Sequence, residues 1–165
     1  MEMIDLYDEN RKFLGETIVR GTPIEPGKYK LSVHMWITNN LGEVYIQKRA
    51  GERRLFPNMW ENPGGGVISG QDTEETLKRE FEEELGIELT GSYTLIKSLK
   101  RTKDFVDIFH VVQEFDVSEL NLQEEEVSDA KWATIDEVRE MIEDGQFCPT
   151  IMDSLVPFLD YIEKE

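Results

Sequence analysis

The 165-residue chain has a single cysteine, two histidines and about half as many basic as acidic side chains, 18 against 35. Each shortage excludes something. Cys148 alone cannot close an internal disulfide, so nothing ties the chain to an oxidising compartment. With no histidine near it in sequence, it reads as a packing residue rather than a nucleophile. His34 and His110 are far apart, and a lone thiol remote from both makes no zinc-type ligand set. No run approaches the roughly 18 apolar residues of a membrane span. The opening MEMIDLYDEN also has no apolar signal core, so the expected compartment is the cytoplasm. A formal net charge of −17 offers no basic face to release counterions from a polyanion, and neither nucleic acid nor anionic membrane is an expected partner.

What remains suits a folded domain. Hydrophobic residues make up 39% and aromatics 10% of the chain, and apolar clusters such as LSVHMWI, FVDIFHVV and LVPFLDYI recur along its length. The length fits one domain over residues 1–165, with an N-terminal hairpin, residues 1–28, packed on it. Homodimerisation is left open. The acid is unevenly spread: residues 114–165 hold 16 acids and 3 bases, an ordinary solvated surface, whereas Glu74 to Glu88 packs seven glutamates into 15 residues. Two short basic stretches stand against this background, Lys48 to Arg54 and Lys97 to Lys103. Basic groups near a carboxylate cluster suit a phosphate-bearing substrate that cations bridge to the acids.

Along the chain, two strands around DENRK are followed by the Pro/Gly connector GTPIEPG. Residues 29–37 read as a strand that forms a hairpin with VYIQKR through a turn at Asn39 to Gly42. After an irregular loop, Leu77, Phe81 and Leu85 recur at helical spacing. Asp72 as N-cap, Glu75 three residues on and Gly86 at the end predict a helix from about Thr73 to Leu85. Residues 93–100 and 104–115 read as strands, SDAKWATI as a third, IDEVREMIEDG as a helix opened by Asp136 and closed by Gly145, and the segment after Pro149 as a last helix that Pro157 bends or divides. The class is α/β (α+β), a mixed sheet layered with helices.

On the helix from Thr73, Glu80, Glu83 and Glu84 fall at i, i+3 and i+4 and converge on one face. Like charges so close destabilise a helix unless something neutralises them. The opposite face is apolar, and a glycine-rich stretch, Pro63 to Gly66, precedes the helix. Three carboxylates facing exposed backbone make a hard-oxygen cradle for Mg²⁺ or Mn²⁺. A solvated acidic face is the other reading of the triad alone.

Gly65, Gln71, Arg79, Glu80, Phe81, Glu83, Glu84, Gly86 and Ile87 resemble the Nudix box, G-x5-E-x7-R-E-U-x-E-E-x-G-U with U apolar; eight of the nine specified positions match over 23 residues. The resemblance implies a Nudix-type α/β/α sandwich over most of the chain. It further implies a cytoplasmic pyrophosphohydrolase that uses Mg²⁺ or Mn²⁺ and a metal-activated water to cleave a diphosphate linkage in a nucleoside diphosphate derivative.

By the same resemblance, Glu80, Glu83 and Glu84 ligate metal, Arg79 holds a glutamate by ion pairing, and Gly64 and Gly65 let backbone approach metal and phosphates. Glu83 and Arg79 thus count among the catalytic residues. The acidic loop LQEEEVSDAKW resembles the family's source of a general base, which makes Glu126 the candidate and Glu125 the second. Arg49 resembles the substrate-phosphate arginine. Trp36, Phe56 and Trp60 could stack on a base or belong to the core. The departure is Gln71, an amide in place of the family's glutamate, which keeps the shape without the charge. It leaves room for a catalytically weakened nucleotide-binding module. A third reading, an isopentenyl diphosphate isomerase-like enzyme, draws on DLYDENRKFLGETIVRG and the strand after it, but LFPNMWENPGGG lacks that enzyme's cysteine. No proline lies between Gly86 and Pro149 to match the ADP-ribose subgroup, and Phe105 stands near the offset where dinucleoside polyphosphate hydrolases carry tyrosine.

Overall fold

The structure, a computed structural model, describes residues 1–164. The N-terminal segment forms β1 (Met3–Tyr7) and β2 (Phe13–Val19), an antiparallel pair that makes its own two-stranded sheet. Ile4 and Leu6 are the side of β1 that is buried. The turn between the strands carries Arg11, which reaches across to the main sheet and clasps Asp107 with two hydrogen bonds of 2.6 and 2.7 Å.

The main sheet is mixed. It contains β3 (Lys30–Thr38), β4 (Val44–Arg49), β5 (Trp60–Glu61), β6 (Gly64–Gly66), β7 (Ser92–Lys100), β8 (Asp104–Val112) and β9 (Val127–Ala133). The path runs β5-β4-β3-β8-β7, with β6 added to β3 and β9 to β4. β3 and β8 are parallel over their whole length, while the other pairs are antiparallel. The expected hairpin of β3 with β4 is reduced to one paired position, Thr38 with Val44. From there the strands part: β3 takes β6 at Ser32 to His34, and β4 takes β9 and β5. This parting opens the sheet where the glycines lie.

A helix lies on one face and two on the other. α1 (Thr73–Leu85) carries the Asp72 and Glu75 capping box, and Gly86 ends it in the left-handed region at φ 72°. Its fully buried Leu77, Phe81 and Leu85 pack on Val33, Met35 and Ile37 of β3 and on Phe105, Phe109 and Val111 of β8. Each such side chain contributes roughly 1.5–3 kcal/mol by leaving water, enough to fix which way the glutamates of α1 must face. On the other face, α2 (Ile135–Glu143) and α3 (Met152–Glu163) bury Val138, Met141, Leu155 and Phe158 against Trp36, Ile46, Val106 and Ile108. The cap of α2 is Thr134, not Asp136: its hydroxyl accepts from Glu137 N at 3.1 Å, and Glu137 reaches back to Thr134 N. A 3-10 turn at Pro149–Ile151 leads into α3, which continues through Pro157. Among the described residues no helix is long and apolar enough to cross a membrane.

Candidate active site

The parted sheet leaves a cleft of about 580 Å³ whose walls come from the N-terminal hairpin, β3, β4, β5, β6, α1 and several loops. β6 is its centre. An alanine methyl at Gly64 would meet Val33 O at 2.4 Å, and one at Gly65 would meet the Glu80 carboxyl carbon at 2.4 Å. Gly64 lacks room for a Cβ because the neighbouring strand β3 approaches too closely, and Gly65 because the Glu80 carboxyl of α1 does.

From α1, Glu80, Glu83 and Glu84 all reach the cleft. Glu84 Oε2 accepts from Gly64 N at 2.9 Å. Burial pushes its carboxyl well above the usual range, and the charge of Glu80 pushes the same way. Glu80 is raised too, by burial first, with Arg79 opposing and Glu83 reinforcing. Arg79 Nη2 stands 3.1 Å from Glu80 Oε1 and donates to Gly66 O at 2.9 Å, so the arginine ties the helix carboxylate to the glycine strand. Arg79 Nε is buried with no partner among the described residues.

Other walls carry both signs of charge. Arg49, at the end of β4, donates through Nη1 to Glu61 at 2.8 Å and through Nε to Leu55 O at 2.9 Å. Glu126, in the loop before β9, reaches the cleft with Arg53 4.0 Å away. On the α3 side, His34 Nδ1 lies 2.9 Å from Ser154 Oγ. Burial lowers the imidazole to about 4, helped by the Arg101 charge, so it is neutral near pH 7.

The donor set suits a hard divalent cation, since carboxylate and backbone oxygens are what Mg²⁺ and Mn²⁺ take. Burial raises both Glu80 and Glu84; the charge of Glu83 adds to this at Glu80, where Arg79 opposes it, and the charge of Glu80 adds to it at Glu84. Among the described residues, no three His, Cys, Asp or Glu side chains stand in a ready-made metal cluster: Arg79 holds Glu80, and Gly64 N holds Glu84.

The cleft thus gathers Arg49, Gly64, Gly65, Arg79, Glu80, Glu83, Glu84 and Glu126. It does not gather the aromatics. Trp36 is fully buried on the α3 face, stacked on Phe158 at 5.3 Å between ring centres, with Nε1 donating to Ser154 Oγ. It is two residues farther along β3 than His34, beyond the end of the cleft. Trp60 is also core, and Phe56 lies on an exposed loop at φ 50°, outside the cleft lining. Gln71 stands apart, its Oε1 3.3 Å from the Thr76 hydroxyl.

The NUDIX domain matches residues 28–150. The chain belongs to the Nudix family. A Listeria monocytogenes protein described as an uncharacterized Nudix hydrolase, lmo0368, is 36% identical over 151 residues, covering 90% of this chain and 89% of that one. A second so described, PA4841 of Pseudomonas aeruginosa, is 26% identical over 163 residues, with 96% and 94% covered. The crystal structure of DR0079 from Deinococcus radiodurans superposes with a TM-score of 0.78 at 24% identity, over 94% of this chain and 97% of that one, a likeness of fold. As a Nudix hydrolase, the protein is a pyrophosphohydrolase acting on phosphorus-containing anhydrides, and such enzymes generally use divalent metals. These relatives favour hydrolase over isomerase, and Cys148 is core, 1% exposed.

Arg101, within the basic stretch Lys97 to Lys103, lines this Nudix cleft, while sequence reasoning missed Lys30, His34 and Asn62, and Glu2 with Arg20 from the hairpin. Asn62, directly before the glycines, and His34, at an outward position of β3, had a local signal. The hairpin arrives by tertiary packing and had none.

Proposed function

We propose that the protein hydrolyses a diphosphate linkage in a nucleoside diphosphate derivative, with Mg²⁺ or Mn²⁺ held by Glu80, Glu83, Glu84 and the Gly64 backbone. The observation that carries this reading is the pair of raised, largely buried carboxyls of Glu80 and Glu84 gathered against β6, where a Cβ at Gly64 or Gly65 would clash. Bound divalent cations supply charge neutralisation on the diphosphate and lower the pKa of a water for attack on phosphorus. Arg79 keeps Glu80 aimed at the cleft through its link to Gly66 O. Arg49 spends Nη1 and Nε on Glu61 and Leu55, leaving Nη2 to hold a phosphate oxygen. Glu126 accepts the proton released on attack. A nucleotide of this kind is a small-molecule partner suited to the cleft volume. The charge of −17 disfavours nucleic acid and anionic membrane, and the cytoplasm is the compartment proposed.

The test is a panel of nucleoside diphosphate derivatives with Mg²⁺ or Mn²⁺, scored as phosphate released after phosphatase coupling. Glu83→Gln abolishes the turnover; full activity in that variant would sink the assignment of α1 as the metal helix. Gln71 favours a second reading, a nucleotide-sensing module, and wild-type protein that binds nucleotides but turns over none of them would support it.

A further inference from the structure

We propose that Lys30, Ser32 and Arg101 form an anion subsite on the α3 side of the cleft, which binds a second anionic group, a phosphate monoester or a carboxylate, that the substrate carries apart from its diphosphate. The proposal rests on the reading of the cleft as a diphosphate hydrolase site and adds what the organic part of the substrate must bear.

The positive charges of the cleft are spent within the protein, with one exception. Its five arginines each stand within 4.0 Å of a carboxylate, whereas half-buried Lys30 makes no ion pair or side-chain hydrogen bond among the described residues. Asp104, which faces Lys30 in the register of β3 and β8, stands 3.9 Å from Arg101 Nη1 instead. An ammonium on the cleft wall with no acid to answer it offers a ligand both its charge and three hydrogen-bond donors.

Arg101 is braced for the same task. Nε donates to Asp153 at 2.8 Å, and Nη2 donates to Asp153 at 2.6 Å and to Thr150 O at 3.0 Å. These bonds hold one edge of the guanidinium against the start of α3, and Asp153 itself does not line the cleft. Nη1 has only Asp104, at 3.9 Å, which is beyond hydrogen-bond reach, so its hydrogens are left for a ligand. Ser32 completes the set. It shares the face of β3 that carries Lys30 and His34, and it is 8% exposed and lines the cleft, yet its hydroxyl makes no hydrogen bond among the described residues. Unlike Asn62 Oδ1 and Arg79 Nε, which are sealed without a partner, that hydroxyl keeps contact with the cleft. A polar group so buried and left without a partner calls for an explanation. An anion on the neighbouring cations supplies one.

Strand register puts this subsite on the far side of the metal helix from Arg49. β6 runs antiparallel to β3, with Gly64 beside His34 and Gly66 beside Ser32. Gly64 N holds Glu84, and Gly65 lies against Glu80. Toward the start of β3 come Ser32 and then Lys30, roughly 7 and 13 Å along the strand from His34. In the opposite direction, on the chain before Gly64, Glu61 holds Arg49. A diphosphate at the carboxylates with Arg49 on one flank therefore has Ser32, Lys30 and Arg101 on the other. A neutral sugar or base there leaves Lys30 and Ser32 unanswered, whereas a phosphate or carboxylate takes charge-assisted bonds from both cations.

Matched diphosphate substrates test it: coenzyme A against its 3′-dephospho form and NADPH against NADH for a ribose phosphate, UDP-glucuronate against UDP-glucose for a carboxylate. Wild-type kcat/KM is expected to favour the anionic member of at least one pair by about tenfold or more, and the pair that shows it tells phosphate from carboxylate. The overall charge of −17 works against extra negative charge, so such a preference needs a local cause. In Lys30→Met the ratio falls to within about twofold of unity, in Lys30→Glu it drops below one, and Lys30→Arg keeps it. Either of the first two suffices if the other does not fold. Wild-type enzyme that hydrolyses these substrates with no preference for the anionic member of any pair, or a preference that survives in a folded Lys30→Met or Lys30→Glu protein, overturns the subsite while leaving the hydrolase reading intact. If the wild type turns over none of them, that reading has failed instead, and calorimetric affinities for the same pairs decide the subsite by the same ratios.

Discussion

The three glycines of β6 should respond to alanine in three different ways. At Gly65 the new methyl would lie 2.4 Å from the Glu80 carboxyl carbon and 2.6 and 2.8 Å from its oxygens. Ordinary carbon contacts lie near 3.5–4.0 Å, so the carboxylate must retreat by about 1 Å or more. It is the end of a flexible side chain, so the fold yields there and the displacement falls on a carboxylate proposed to hold metal. A misplacement of that size costs about 100-fold in rate. At Gly64 the obstacle is Val33 O at 2.4 Å, a backbone atom that cannot step aside. Overpacking of this kind costs about 1–3 kcal/mol, a fall in Tm of roughly 2–12 °C for a chain of this size. At Gly66 nothing lies within 4 Å. None of the three has a positive φ, so alanine brings no backbone strain of its own. Coupled phosphate release across a Mg²⁺ titration, beside thermal melts, separates the cases. Gly65→Ala keeps its Tm and loses activity, Gly64→Ala loses Tm, and Gly66→Ala behaves as wild type. A fully active Gly65→Ala with unchanged metal requirement, or a Gly66→Ala as damaged as its neighbour, would refute the close-approach argument.

Gln71→Glu is expected to leave turnover equal or higher, because Gln71 lies outside the cleft lining; a large loss in the same coupled assay would show that the amide is needed. Arg11→Met removes the clasp on Asp107, whose carboxyl is 4% exposed and also accepts from Thr73 and Ser98 at 2.6 and 2.7 Å. With Arg11 itself 31% exposed, about 2 kcal/mol at pH 7 is expected, or a Tm lower by about 4–8 °C. Burial alone would raise Asp107, yet the bonds from Arg11, Thr73 and Ser98 hold it below its usual value. The clasp therefore acts in full above the unfolded pKa near 4 and weakens as pH falls through the lower folded value, so in acid melts the gap between variant and wild type narrows below about pH 4. Glu84→Gln should melt higher than wild type in chelator and be inactive with metal, since it removes one of two buried, mutually repelling carboxylates; a lower Tm in chelator would contradict that.

How much of this was legible depends on the range of the forces involved. α1 was readable to its ends because Asp72, Glu75 and Gly86 act within one turn of the chain, and its acidic face because three glutamates at i, i+3 and i+4 can only converge. α2 was read with its cap two residues late, since Asp136 and Thr134 are both cap formers and only the bond from Glu137 N to the Thr134 hydroxyl separates them. The β3 and β4 hairpin shows a different limit. Its turn was local and correctly placed, but the strands' other partners, β6, β8, β9 and β5, come from elsewhere in the chain and pull the pair apart after Thr38 and Val44. Trp36 could not be assigned between base stacking and core without α3, because β3 gives His34 and Trp36 the same face and only Phe158 shows which of the two has passed the end of the cleft.

The same helix divides its labour in a way that links stability to activity. One side of α1, Leu77, Phe81 and Leu85, anchors it to the sheet with no exposure at all. That anchoring holds Glu80 and Glu84 in a partly dry position which neither carboxyl would choose, as their raised pKa values record. Were the helix less firmly packed, it could roll and return both to water, and the repulsion would be relieved along with the attraction for a cation. The glycines of β6 add to the constraint by bringing backbone, rather than a solvating side chain, against Glu80. A protein selected for stability alone would place an apolar or amide residue at position 84. Retaining a buried acid beside another fits the proposed function, in which a divalent cation and a diphosphate would restore the charge balance and let an acidic chain of net charge −17 receive an anionic substrate.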